Sequence, residues 1–193
     1  MSNSMHTLVL TDGGLAGLVA AVIASKRTDP EIRPAVLVPS GLSEPVSRAA
    51  RVGCERLGLS AIELNAGRTG GGAGETRLLL VAAQTAAQNG CSTLIWGRQL
   101  GGDDPVQSID LIGQSLDRAT LISRLISLDL PDSGSLEIEL PVIDMTDAQL
   151  AELALDLGVP LDTLAWWGSD TEERTRWESA LRSVGWHPDS VFA

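Results

Sequence analysis

The chain is poor in cysteine. Cys54 and Cys91 are the only two in 193 residues, they stand far apart, and neither belongs to a C-x-x-C pair. That excludes a disulfide framework and a thiolate metal site. Histidine is scarce too. His6 and His187 have no partner at ligand spacing, so both are expected to be solvated or satisfied rather than metal-binding. Positive charge is short: 14 basic against 25 acidic residues give a formal charge of -11. With no Lys/Arg cluster to overrule it, that balance excludes nucleic acid as a partner and disfavours an anionic membrane surface. Long apolar runs are absent. None reaches the roughly 20 residues a bilayer crossing needs. The "HTLVLT" run near the N-terminus is too short for a signal peptide and lacks its basic stretch. A cytoplasmic protein without nucleic-acid or membrane partners is expected.

What is present is a globular composition, 44% hydrophobic, at a length that suits one domain with a sizeable core. Residues 1–193 are expected to form a single α/β domain with a helical segment from about 146 to 193. Short apolar runs at 7–11, 33–40, 60–65, 92–97 and 136–144 read as strands. Helical spacing occupies 15–26, 44–59, 75–90, about 108–128, 147–158 and 171–185. Thr146 and Thr171 are placed to cap the last two helices, and Gly90 to stop the third. The stretch "AGRTGGGAG" (66–74) reads as a flexible loop with no packing residue. Strands alternate with helices throughout. The predicted fold is therefore a three-layer, five-stranded parallel Rossmann-like sheet with helices on both faces.

The first strand runs into "TDGGLAGLVAAV". A strand, a glycine turn and a small-residue helix leave backbone N–H groups at the positive end of a helix dipole, which is an anion site. The motif is neither G-x-G-x-x-G nor the Walker lysine motif. The second strand ends "LVPSG" without the acidic residue that a dinucleotide ribose requires. A Rossmann dehydrogenase does not fit. The glycines are also compatible with a plain tight turn.

The order of elements and this loop resemble the PP-loop ATP pyrophosphatase superfamily, which is adenine nucleotide α-hydrolase-like. More closely, they resemble the 7-cyano-7-deazaguanine synthase family of queuosine biosynthesis. Its opening S-G-G-x-D-S falls on Asp12, Gly13, Gly14, Leu15, Ala16 and Gly17. Both glycines match; the two serines and the aspartate do not. A second family element, P-G-R-N, falls on Ala73 to Thr76, where only Gly74 matches and Glu75 stands at the arginine position. A third ends a strand at Trp96 and Gly97. The resemblance implies a vestigial nucleotide loop at Asp12, Gly13, Gly14, Gly17, Gly74 and Gly97, with no catalytic residue retained. Its tail implies a zinc site of four cysteines, but "TLAWWGSDTEERTRWESAL" holds no cysteine or histidine. The outer cysteine positions fall on Trp166 and Trp177, so no zinc is expected. Trp166 or Trp167 is expected to pack with Trp177 where the metal would lie.

Asp12 puts an anion where the family has a hydroxyl donor. Gly17 removes a second hydroxyl, Ala16 a carboxylate, and Glu75 reverses a charge. Two like charges about 4 Å apart repel by roughly 1 kcal/mol in water and about 4 kcal/mol at an effective dielectric of 20. Asp103 and Asp104 follow the fourth strand at the edge where α/β sites gather. They are a weak magnesium candidate, since such a pair is more often a solvated turn. If Asp12, Asp103 and Asp144 converge, the crevice is acidic and prefers a cation.

Three readings follow. The first is a degenerate family member without ATP-dependent adenylation, retained to bind a small molecule or a protein, with no cofactor. The second is an active ATP- and magnesium-dependent ligase with a rebuilt site. The third is a structural or partner-binding homodimer. The family resemblance also implies a homodimer.

Overall fold

The computed structural model describes residues 7–28, 33–67, 71–103, 105–129, 135–167 and 171–186. His6, His187 and Asp104 lie outside them.

Alternation within the strands sets the layers. In β1 (Thr7–Thr11) Leu8 and Leu10 point to one face of the sheet and Val9 to the other. Leu37 of β2 (Ala35–Pro39) and Leu94 and Trp96 of β4 (Thr93–Gly97) join the first face. Val36, Val38 and Ile95 join the second. With β3 (Ser60–Leu64) and β5 (Glu137–Glu139) the strands pair in parallel in the order β3-β2-β1-β4-β5. This is the five-stranded Rossmann-like sheet read from the sequence.

Helices cover both faces. α3 (Gly71–Gln88) and α4 (Ile109–Asp129) seal the leucine face through Leu79, Ala82, Ala83, Ala86, Ile122 and Ile126. α1 (Leu15–Arg27) and α2 (Glu44–Arg56) seal the valine face through small residues: Ala20, Ala21, Ala24, Ala50 and Cys54. α5 (Asp147–Leu157) and α6 (Glu172–Ser183) form an outer layer over α1. α1 is thus buried on two sides, which explains its apolar, weakly amphipathic sequence. Each large aliphatic side chain buried in these layers contributes roughly 1.5–3 kcal/mol relative to its exposed state.

The expected caps are in place. Thr146 and Gln149 exchange hydrogen bonds in a full capping box, and Thr171 accepts from the Arg174 N–H. Gly90, at φ +71°, ends α3.

Two expectations are corrected, and the tryptophan packing expected in the tail is found in one cluster with Trp186 added. The glycine stretch before Glu75 is not all loop, because α3 starts at Gly71 and Gly74 is buried. Packing of α3 on α4 and the sheet overrides the poor helix propensity of glycine there. The fifth strand ends at Glu139, not at 144. Pro141 has no N–H for the ladder, and residues 141–144 turn instead. In the tail the ring contacts run Trp166–Trp167–Trp186, both at 5.6 Å between centroids. Trp177 is buried in the same cluster, but the cation Arg176 lies over its ring at 4.9 Å. Among the described residues no ring contact joins Trp177 to another tryptophan.

Candidate functional site

The carboxyl ends of β1, β2 and β4 open into a crevice of about 270 Å³, lined by Thr11, Asp12, Glu75, Trp96, Arg98 and Gln99 among others. This is where open α/β sheets place their ligands.

The β1–α1 loop forms one wall. Gly13 takes φ +82°, a conformation that other residues rarely adopt. Its N–H donates to Thr11 Oγ1 at 2.9 Å, and the Gly14 N–H donates to Asp12 Oδ1 at 2.8 Å. Gly14 is the N-cap of α1 and has no side chain to cap with. The two residues before the glycines supply the acceptors instead. The loop amides that would cradle a phosphate are therefore already engaged, and one of their acceptors is a carboxylate at the positive end of α1.

Desolvation pushes the Asp12 carboxyl above the usual carboxylate range. N–H groups of Gly14, Asp12 itself and Gly17 oppose the shift, and the nearby charge of Glu173 adds to it. The residue as a whole remains exposed, so solvent screening keeps the energetic weight of that shift small.

Gly17 and Gly97 meet each other rather than the crevice. A Cβ on Gly17 would lie 1.9 Å from Thr11 Oγ1, and one on Gly97 would lie 2.6 Å from the Gly17 Cα. Both let α1 ride close over β1 and β4. Gly74 is buried in the first turn of α3.

The opposite wall carries charges that sequence reading did not pair. Glu75 accepts from Arg98 Nη2 at 2.9 Å and from Arg118 Nη1 at 3.1 Å. The Arg98 guanidinium also lies 5.1 Å from the centre of the Trp96 ring. Glu75 thus does not stand as a bare reversed charge: two guanidinium groups share it. The crevice is mixed in charge, not strongly acidic.

Asp12, Asp103 and Asp144 do not build one carboxylate site. Neither Asp103 nor Asp144 lines the crevice. Asp103 sits beside the pair of Asp147 and Arg176, and Asp144 is exposed in the turn after β5. Among the described residues no group of three His, Cys, Asp or Glu is placed to hold a metal ion. Cys54 and Cys91 are buried in separate apolar clusters, and burial pushes both thiols up to about 11.

Behind the crevice, Gln99 ties the loop after β4 to the outer helices. Its amide donates to Met145 O at 2.9 Å and to Asp147 Oδ1 at 2.8 Å. Asp147 is buried and takes two hydrogen bonds from Arg176, one of them from Nη2 at 2.6 Å. Leu100 and Gly101 donate to Ile143 O, and the Asp147 N–H to Gly102 O. The loop at the crevice floor and the α5–α6 layer are therefore joined by a continuous set of hydrogen bonds.

A triphosphate does not fit this donor set. Seating one against Gly13 and Gly14 requires breaking two internal hydrogen bonds and facing the Asp12 carboxylate.

No family model matches the chain, and no curated protein matches it. Among solved structures, the U34-tRNA thiolase NcsA from Methanococcus maripaludis with its [4Fe-4S] cluster is similar at 17% identity and a TM-score of 0.53. The match covers 94% of this chain and 72% of that one. NMN synthetase from Francisella tularensis matches at 14% identity and a TM-score of 0.40, over 97% of this chain and 81% of that one. The first likeness is one of fold: a five-stranded parallel α/β sheet of Rossmann-like form.

Proposed function

We propose that this chain is a PP-loop-type protein that keeps the nucleotide fold without its nucleotide chemistry, and that it serves as a binding or accessory protein. Its opening glycine loop resembles that of the 7-cyano-7-deazaguanine synthases, and the reading takes the chain as a degenerate relative of them. The observation that carries the reading is the occupied loop. Thr11 Oγ1 and Asp12 Oδ1 take the Gly13 and Gly14 N–H groups, so the chain's own side chains stand where phosphate oxygens would be bound. The ligand that suits the crevice is a small molecule of mixed charge, since Asp12 and the Arg98–Glu75 pair face it from two walls.

The test is calorimetry with ATP and magnesium on the wild type and on Asp12→Ser. The wild type is expected to give no binding heat. Heat from the variant alone assigns the loss to the Asp12 charge. Binding by the wild type overturns the reading in favour of an ATP-dependent ligase with a rebuilt site. That second reading draws on Arg98 and Arg118, which share a single carboxylate, and it requires AMP release with some substrate.

A further inference from the structure

Asp12 and Arg98 leave adjacent strands at the same level. β1 and β4 are in register at Thr11 and Gly97, and each charge is the next residue along the chain. Neighbouring strands lie roughly 4.8 Å apart, so unlike charges set there would ordinarily pair. These do not: among the described residues no ion pair joins them. Each is held aside by partners of its own. The Asp12 carboxylate turns to N–H groups at the start of α1. The Arg98 guanidinium is drawn to Glu75 and lies over the Trp96 ring. Both residues line the same crevice.

Neither charge is cancelled by those partners. Among the described residues Asp12 has amides and no cation, and Glu173 adds a second negative charge nearby. On the other wall Arg98 and Arg118 share the carboxylate of Glu75, which leaves positive charge in excess. A guanidinium carries five N–H donors, and the contact with Glu75 runs through Nη2. The Arg98 side chain is only 20% exposed, so a ligand that reaches it meets a partly dehydrated cation. Much of the remaining lining is apolar, with Pro39, Leu42, Leu78 and Leu100.

A ligand of one sign does not suit this pair. An anion drawn to Arg98 faces Asp12, and a cation drawn to Asp12 faces Arg98. A ligand carrying both charges satisfies both walls. Because the two groups are already held apart, it binds without first breaking a bond between them. Size agrees: about 270 Å³ lies just under the ~300–1,000 Å³ typical of small-molecule pockets.

We propose that the crevice binds a free amino acid with an apolar side chain, its ammonium at Asp12, its carboxylate at Arg98 and its side chain on Leu42, Leu78 and Leu100. This rests on the reading above, that the crevice has given up nucleotides, and names the class of small molecule that replaces them.

The experiment is calorimetry on the full chain at neutral pH with L-leucine and L-phenylalanine, each up to about 10 mM. At least one is expected to bind. Its decarboxylated amine and its deaminated acid (isoamylamine and 4-methylpentanoate for leucine, phenethylamine and 3-phenylpropanoate for phenylalanine) should each bind at least about tenfold more weakly. Asp12→Asn and Arg98→Gln, verified as folded by circular dichroism, should each weaken the amino acid by a similar factor. Each variant also removes the repulsion that one half-ligand met. Asp12→Asn is therefore expected to bind the acid more tightly than the wild type does, and Arg98→Gln the amine. A variant that weakens every probe alike assigns its residue to structure and overturns the assignment. So does a half-ligand that binds as tightly as the whole, or a folded variant that binds the amino acid as the wild type does. Wild-type heat from ATP and magnesium sinks the underlying reading. Silence from ATP and from both amino acids sinks this proposal alone.

Discussion

Two aspartates stand at helix starts on the same edge of the sheet, and they differ in burial and in the partners they are given. Asp147 opens α5, is 3% exposed, and is held by Arg176 and Gln99. Asp12 precedes α1, is exposed, and has backbone N–H groups for partners and Glu173 for a charged neighbour. Burial alone would raise the Asp147 pKa, but hydrogen bonds from Arg176 and Gln99 outweigh it, and the carboxyl sits below its ordinary value. At Asp12 desolvation wins and the carboxyl sits above it. Given a guanidinium, a helix-start carboxylate anchors two layers of the fold. Given amides alone, it fills an anion site that would otherwise be open to solvent or ligand.

The comparison breaks most visibly if Asp147 loses its partner. Arg176→Ala leaves a buried carboxylate without its cation, with Gln99 and Asp103 beside it. Because the guanidinium is 46% exposed, the expected loss is about 2–3 kcal/mol, below that for a fully buried ion pair. Urea unfolding at neutral pH measures it. An effect below about 0.5 kcal/mol would mean that the pair is not an anchor. Arg176→Lys, which cannot reproduce the forked contact, should recover only part of the loss.

The counterpart at Asp12 is smaller. Asp12→Ala frees the Gly14 N–H at an exposed helix start, where water replaces the carboxylate. Stability should fall by about 0.5–1 kcal/mol, as for removal of an exposed cap. The same variant tests the occupied loop: inorganic pyrophosphate, titrated by calorimetry, should bind Asp12→Ala more tightly than the wild type. Equal affinity would mean that the carboxylate does not compete for the amides.

Much of this frame was legible in the sequence because it is written in local patterns. Thr146 and Thr171 before apolar spacing gave the last two helix starts, and the alternation of Leu8, Val9 and Leu10 gave a strand covered on both faces. The site was less legible because its bonds are long-range. Glu75 meets Arg118 across 43 positions, and Gln99 meets Asp147 across 48. No periodicity announces such pairs, so Glu75 read as an unpaired reversal of charge. Pro141, a residue without an N–H, is the local signal for the early end of the fifth strand. Trp186 follows Gly185 beyond the last helix, outside any periodic stretch, yet it supplies the ring that Trp167 meets.

The finest test is the sign of a slope. The Asp147 carboxyl is lowered in the folded state, so the unfolded chain binds more protons. Its stabilisation is fully present above the unfolded value of roughly 3.9 and is lost as pH falls through the folded value. The Asp12 carboxyl is raised, so between the unfolded and folded values the native chain binds more protons. Its ionised form costs stability above the folded value, and that cost fades as pH falls toward the unfolded one. Asn at either position keeps an acceptor oxygen and removes the titration. Measured by urea unfolding from pH 7 down to about 2, wild type minus Asp147→Asn should hold level above the unfolded value and decline below it. Wild type minus Asp12→Asn should instead rise as pH falls toward the unfolded value, with a small amplitude because Asp12 is exposed. Parallel slopes would mean that the two carboxylates share one environment after all, and that Arg176 does not distinguish them.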